Sequence, residues 1–375
     1  MLRAVAQIAA VILVVSLVAY FVGNLLDAAD RRGLALGFGF LDQEAGFPIT
    51  ESVIEYQESA SFRYAFVVGI LNTLKVALVG IALATVLGVI IGVARLSSNW
   101  LVSTIAATYV EIFRNIPLLV QLFFWYFAVF QLLPVVQESI RWPGPVFLSN
   151  RGIFMAWMRP SPSFPEWSLF VLAGIVVAIV MRVVLTRVHK RTGRATYPVL
   201  GPILALVLIP AIGWPLMAES PLVREVPVLG RFNFEGGLRL TPEFSALLVG
   251  LVIYTASFIA EVVRGGIQSV HRGQVESARA LGLSNTQTLR LVVFPQALRV
   301  IIPPLISQYL NITKNSSLAI AIGYPDLFAV GRIMINQAGR AVPIFLLIMA
   351  SYLAMSLTFA AVGNLYNRRV RLVER

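Results

Sequence analysis

The 375-residue chain contains no cysteine, which removes disulfides, thiolate metal sites and cysteine nucleophiles from consideration. It has two histidines, His189 and His271, both among basic polar residues, so a histidine-based metal or catalytic cluster is not expected. It has three lysines, Lys75, Lys190 and Lys314, and none stands in a Gly-Lys-Ser/Thr triplet, so no phosphate-binding P-loop can be built. Charge is scarce as well. Charged residues make up 13% of the chain and hydrophobic ones 58%, whereas soluble domains carry about 25% charged residues. These absences leave an all-α integral membrane protein as the expected class.

What is present is a series of long apolar stretches. A helix needs roughly 20 apolar residues to cross the hydrocarbon layer. Eight stretches approach that length: Ala4–Leu26, Phe66–Ala94, Ile105–Leu133, Leu169–Leu185, Tyr197–Met217, Phe244–Val263, Val300–Ile322 and Pro343–Leu365. The first is too long for a signal-peptide core, so it is expected to persist as a span.

The net charge of +12 would suggest nucleic acid in a soluble protein. Here the basic residues lie beside apolar stretches, the pattern of membrane orientation, and no nucleic-acid partner is expected. The segment Asp27–Arg63 has seven acidic residues and three arginines. Arg187–Arg194 has four basic residues and no acid. The region after the sixth stretch has Arg264, Arg272, Arg279, Arg290 and Arg299 against Glu276 alone. The tail has Arg368, Arg369, Arg371 and Arg375 against Glu374. Eight spans with both termini in the cytoplasm put every basic segment inside. The outer loops are then Asp27–Arg63, Pro134–Ser168, Ala218–Glu243 and Gly323–Val342. The second, rich in Pro, Gly and Trp, is expected to form an ordered cap with short helices in the membrane interface.

One polar island stands out: Glu276–Pro295, ESARALGLSNTQTLRLVVFP. It reads as a short helix, a glycine stop and a second helix returning to the membrane. Gly282 is placed for the left-handed residue that ends a helix. Ser284, with Gln287 three residues on, forms a capping box.

That island resembles the EAA loop of ABC-importer permeases, in which Glu-Ala-Ala is followed by Gly six positions after the Glu and by an Ile-x-Leu-Pro ending. Glu276, Ala278, Gly282 and Pro295 fall at those spacings; Ser277, Val292 and Phe294 depart from it mildly. AEVVRGGIQSVHRGQ (Ala260–Gln274), PQALRVIIPPL (Pro295–Leu305) and YVEIFRNIPLLVQ (Tyr109–Gln121) resemble the polar-amino-acid branch of these permeases. The whole chain most resembles the larger, Q-type permease subunit of a general L-amino-acid ABC importer. The matching motifs cover about Leu71 to Gln131 and Glu243 to the C-terminus.

The resemblance implies a type I ABC importer permease core of five spans with added ones. Residues 1–65 are then an added helix and outer loop. Residues 66–133 hold the first part of the core, 134–243 an insert with two extra spans, and 244–375 the second part with its coupling loop at 264–299. It implies a homologous permease partner in a heterodimer, two copies of an ABC ATPase that bind ATP and Mg, and a periplasmic amino-acid-binding protein. It also implies a bacterial inner-membrane location in contact with lipid. This chain would not itself be an enzyme and would carry no cofactor. Its coupling residues would be Glu276, Ser277, Ala278, Arg279, Ala280 and Gly282, with the small side chains allowing close approach and Glu276 and Arg279 offering charge.

Ionisable residues inside spans are costly and point to a cavity or a partner. Glu111 and Arg114 lie three apart on one helical face, ahead of a Pro117 kink, and are expected to pair. Glu261 and Arg264 repeat the pattern at the end of the sixth span; both pairs read as structural. Lys314, with Asn311, Asn315 and Ser316, is too polar to face lipid. These four are candidates for lining a path for an amino-acid carboxylate, or else for a gate or subunit interface. Asn72, Thr73 and Gln121 are weaker candidates of the same kind.

Two rivals remain. An ion-gradient-driven secondary amino-acid transporter would favour matched inverted repeats, which the sequence does not show. A membrane enzyme would need clustered His, Cys or paired carboxylates, also absent.

Overall fold

The computed structural model describes residues 2–31, 36–192, 197 and 199–370. They form two compact units: residues up to 129 together with those from 243 onward, and residues 130–242 between them.

The first unit begins with α1 (Leu2–Arg31), and residues 36–61 lead into α2 (Phe62–Ala94). Ser61 caps α2 by accepting from the Tyr64 N–H. The segment before α2, expected as a loop, buries Phe40 and Phe47 against Phe62 and Phe66 of α2. At about 1.5–3 kcal/mol for each fully buried aromatic, this anchors it firmly.

After α2 the chain turns through Asn99, whose side chain caps α3 (Trp100–Asn115). It then breaks at Ile116–Pro117 and continues as α4 (Leu118–Phe123) and a π-helical stretch, Phe124–Phe130. The two arms are bent by 103°. The kink expected at Pro117 is therefore a full break.

In the second unit α5 (Phe164–Thr192) packs on α6 (Leu200–Gly213). The Trp167 indole N–H donates to the Pro210 carbonyl at 2.9 Å. The segment Arg187–Arg194, read as a loop, is helical through Thr192, and residues 193–196 lie outside the described residues. Of the short interfacial helices expected between 134 and 168, only a single 3-10 turn, Val136–Glu138, forms before α5 begins at Phe164. The unit instead forms eight short strands: β1 (Ile140–Trp142), β2 (Val146–Ser149), β3 (Gly152–Met155), β4 (Trp157–Pro160), β5 (Leu222–Glu225), β6 (Val228–Leu229), β7 (Phe234–Glu235) and β8 (Leu238–Leu240). One antiparallel sheet runs β1-β2-β3-β8, and β4-β5 and β6-β7 pair separately. The physical reason is turn chemistry. Pro143-Gly144, with Gly144 at φ +87, and Asn150-Arg151-Gly152, with Gly152 at φ +120, reverse the chain between short β-branched and aromatic runs. The class is therefore mostly helical, with a β-structured insert.

The first unit resumes with α7 (Pro242–Gln268), α8 (Arg272–Ala280), α9 (Asn285–Thr288) and a π turn. It continues with α10 (Phe294–Asn315), a 3-10 stretch Ser316–Ile322, α11 (Leu327–Ala338) and α12 (Ala341–Val370). α11 was not expected, since its residues were read as an outer loop. Asp326 caps its start and Gly339, at φ +64, ends it. α2 and α7 run side by side with glycines at the contact. A Cβ added at Gly88 would come within 2.6 Å of Ile259 Cβ, and one at Gly92 within 2.7 Å of the Ala260 carbonyl oxygen. Small residues at helix contacts are how membrane helices approach closely.

Each of the eight stretches expected as spans is helical over most of its described residues, the third with a break at Ile116–Pro117. Among the described residues, five helices are long and apolar enough to cross a membrane, and the bent α3–α4 pair makes a sixth if it is one span. Ala6–Phe21 and Leu200–Leu216 are shorter apolar helical stretches. Arg371 and Arg375 of the tail lie outside the described residues.

Candidate functional site

The polar hairpin between α7 and α10 has the local structure its sequence specifies. The His271 side chain caps α8 through Nδ1, which accepts from the Gly273 N–H at 3.1 Å. At the other end Gly282 adopts φ +79. The Leu283 N–H donates to the Ala278 carbonyl and the Gly282 N–H to the Arg279 carbonyl, at 3.1 and 2.9 Å. This is the paired 6→1 and 5→2 closure of a glycine-ended helix. Ser284 and Gln287 then form the reciprocal capping box of α9.

The hairpin's side chains divide into two sets. Glu276, Ser277, Arg279 and Ala280 are exposed. Ala278 is buried inside its own chain, so it is not one of the small residues available for close approach. Glu276 takes part in no ion pair among the described residues, and Arg279 donates to Asn285 Oδ1 at 3.3 Å. Sequence reasoning missed Leu281, which is 83% exposed at the tip of a polar hairpin. The signal was a large apolar residue immediately before the glycine stop.

At the C-terminal end of α7, Glu261 pairs with Arg264 as expected and also with Arg95, at the end of α2. Arg95 was not anticipated because only folding brings the end of α2 to α7. Arg264 also donates to Gln268 Oε1 at 2.6 Å. The expected Glu111–Arg114 pair does not form. The Arg114 guanidinium lies over the Phe258 ring, 5.1 Å from its centroid, and within electrostatic reach of Glu261. Glu111 instead meets the Asn115 amide at 3.4 Å. A ring face and a carboxylate on a neighbouring helix outcompete an i,i+3 partner on the same one.

Around Lys314 the four candidates separate. Asn311 and Lys314 are exposed and three apart on α10, and Asn315 is half-buried. Ser316 is fully buried, and its hydroxyl donates to the Thr313 carbonyl at 2.8 Å. It lines no open surface in this structure. The helix tightens to 3-10 geometry from this residue onward, which turns Ser316 inward.

Asn72, Thr73 and Gln121 are likewise buried and committed to backbone. The Asn72 amide donates to the Glu51 and Pro325 carbonyls, each at 2.8 Å. The Thr73 hydroxyl accepts from the Leu327 N–H at 3.0 Å. The Gln121 amide donates to the Phe113 and Ile116 carbonyls, each at 2.9 Å, across the break between α3 and α4. Backbone that leaves helical geometry in an apolar protein needs partners, and these side chains supply them. Asn72 Oδ1 and Gln121 Oε1 are themselves buried without one among the described residues.

Beside Asn72 sits Asp326, which sequence reasoning passed over. It is fully buried. Its Oδ1 accepts from the Ala329 N–H at 2.9 Å and its Oδ2 from the Tyr352 hydroxyl at 3.1 Å. Burial pushes its carboxyl up to about 6, against hydrogen bonds from the Ala329 and Phe328 N–H groups and Tyr352 that hold it down. Its sequence signal was an Asp placed just before an apolar helical run. Among the described residues, no group of three His, Cys, Asp or Glu is placed to hold a metal ion.

Residues 84–372 match the family described as binding-protein-dependent transport system inner membrane components. A putative amino-acid ABC transporter permease protein, YhdX of Escherichia coli, is 47% identical over 98% of this chain and 94% of its own length. The general L-amino acid transport system permease protein AapQ of Rhizobium johnstonii is 45% identical over 98% of this chain and 92% of its own. The glutamate/glutamine/aspartate/asparagine transport system permease protein BztB of Rhodobacter capsulatus is 39% identical over 98% of this chain and 93% of its own.

Proposed function

We propose a specific role for this chain, which belongs to the family of binding-protein-dependent transport system inner membrane components: it is the permease subunit of an ATP-driven importer of L-amino acids. The observation that carries the substrate class is similarity along nearly the whole chain to permeases named for amino acids. The coupling role rests on the α8 hairpin. His271 caps the start of α8, Gly282 ends it, the Ser284–Gln287 box opens α9, and the hairpin presents Glu276, Ser277, Arg279, Ala280 and the exposed Leu281. A rigid, capped hairpin with an apolar knob and unpaired charge suits a cleft on an ATPase.

In this reading the chain pairs with a homologous permease, and the pair stands on two copies of an ABC ATPase, which bind ATP and Mg. A periplasmic binding protein delivers the amino acid. The protein lies in the bacterial inner membrane with both termini and the α8 hairpin in the cytoplasm. The five-span core carries the transport function, and α1 with the 134–243 insert are additions to it. ATP-driven closure of the ATPases moves α8, and α7 and α10 carry that motion to the path. Asn311, Lys314 and Asn315, on one stretch of α10, are the path residues of this reading, where a lysine and two amides would meet the substrate carboxylate.

The test is reconstitution of the tagged chain with the ATPase and permease it co-purifies with. Hydrolysis stimulated by an amino-acid-loaded binding protein, and reduced more than tenfold by Gly282→Val, supports the reading. Valine disfavours the left-handed conformation by about 1–2 kcal/mol and reshapes the hairpin tip. A chain that purifies alone and moves amino acids only under an imposed ion gradient overturns it.

A further inference from the structure

An open cavity of about 520 Å³ lies at the α8 end of the first unit, between the end of α2, the face of α3 from Ser103 to Ile112 and the end of α7. Its volume is within the usual range of small-molecule sites, about 300–1,000 Å³. Its wall is chemically divided. On one side are the guanidiniums of Arg95 and Arg264. Both share Glu261, so two cations meet a single carboxylate there. Arg264 is nearly spent, with Nε and Nη2 on Glu261 and Nη1 on Gln268. Arg95 uses only Nη1, so its remaining N–H groups have no protein acceptor among the described residues.

On the other side is α3, which presents Thr104, Thr108 and Glu111 at helical spacing. The Glu111 carboxylate has no cation partner among the described residues and only the long Asn115 contact. One cavity thus holds an under-used guanidinium, an unpaired carboxylate and hydroxyls between them. Arg95 keeps N–H groups beyond its pair with Glu261, and Glu111 has no cation from its own chain among the described residues.

We propose that this cavity binds a molecule carrying a primary ammonium and an oxyanion, the ammonium on Glu111 and the oxyanion on Arg95, with Thr104 and Thr108 between. Two sources present that chemistry: a free amino acid reaching the inner end of the permease, and the headgroup of an ethanolamine phospholipid. The amino-acid source rests on the transport reading above. The lipid source requires only the membrane fold, and the exposed Trp100 and Ile105 on the neighbouring turns of α3 suit contact with acyl chains.

The experiment uses the full chain in nanodiscs of phosphatidylcholine and phosphatidylglycerol, titrated separately with L-glutamine and with phosphatidylethanolamine. Bound probe is counted by native mass spectrometry. The expected result is saturable binding of one probe, weakened about tenfold by Glu111→Gln, which removes a charge-assisted hydrogen bond. Glu111 makes no ion pair, so the fold is expected to survive this change, and Thr108→Val provides an independent perturbation from the same wall. The probe that binds identifies the source. Binding of neither probe, or binding indifferent to both variants, overturns the proposal. Transport without such binding sinks this site and leaves the transport reading standing; ethanolamine-lipid binding in a chain that fails the reconstitution test does the reverse.

Discussion

Asp326, which caps α11, and Glu276, at the middle of α8, are both carboxylates, and they are committed to different degrees. Asp326 is fully buried and accepts from its own α11 and from Tyr352 of α12. Its neighbour Asn72 gives its amide N–H groups to the Glu51 and Pro325 carbonyls, and Thr73 accepts from the Leu327 N–H at the start of α11. Glu276 is exposed on α8 and has no ion-pair partner among the described residues. In an apolar chain polar residues are expensive, and these two regions show the two ways they are retained. One set closes the fold and has little left to offer. The other stands on a capped helix and leaves its side chains exposed.

The comparison gives a graded set of expectations for stability, each read as the melting transition of the purified chain. Asp326→Leu strips the acceptor from the Ala329 N–H and the Tyr352 hydroxyl and is expected to cost about 3 kcal/mol. An unchanged melt would show that the buried cluster is not what closes the fold. Glu261→Gln leaves Arg95 and Arg264 without their carboxylate. Because these groups are about one-third exposed or less, the cost is expected near 1–2 kcal/mol rather than the full penalty of a buried pair.

Acid acts in the opposite direction at Asp326. A carboxyl whose pKa is raised on folding binds its proton more tightly in the native state. Its contribution is therefore greatest at low pH and is lost as pH rises through about 6. Between pH 7 and pH 5 this group is expected to add about 1 kcal/mol, and Asp326→Asn is expected to flatten that dependence. A slope that survives the substitution would assign it to another group. The smallest effects are expected on the hairpin. Glu276→Gln and Leu281→Ser should shift stability by less than about 0.5 kcal/mol while lowering coupled ATPase activity. If they destabilise the chain as Asp326→Leu does, the division between committed and free polar residues fails.

Much of this was legible in the sequence. Long apolar stretches marked the helices, and the hairpin's glycine and capping box could be read because they are local. The Glu261–Arg264 pair is local too, and it forms. What could not be read depends on what a side chain meets in three dimensions. Glu111 and Arg114 have the same spacing, but Phe258 lies beside Arg114 and the pair is lost. Ser316, Asn72 and Gln121 announced polarity without announcing that neighbouring backbone carbonyls would claim them. The β-structured insert and α11 were different failures. Their signals were present, as Pro-Gly and Asn-Arg-Gly turns and as an Asp cap with a glycine stop. They were outweighed by tryptophan content and by the assumption that a short segment between spans is a loop.

The central claim is that the α8 hairpin is the cytoplasmic contact with an ATPase. Because the chain has no cysteine, Leu281→Cys introduces its sole thiol. The decisive measurement is modification and cross-linking of that thiol in native membranes. The account predicts labelling by an impermeant maleimide only in inside-out vesicles, and a cross-link to a P-loop ATPase that ATP binding alters. Labelling from the outside of intact cells, or the absence of any ATPase cross-link in membranes that transport, would contradict it.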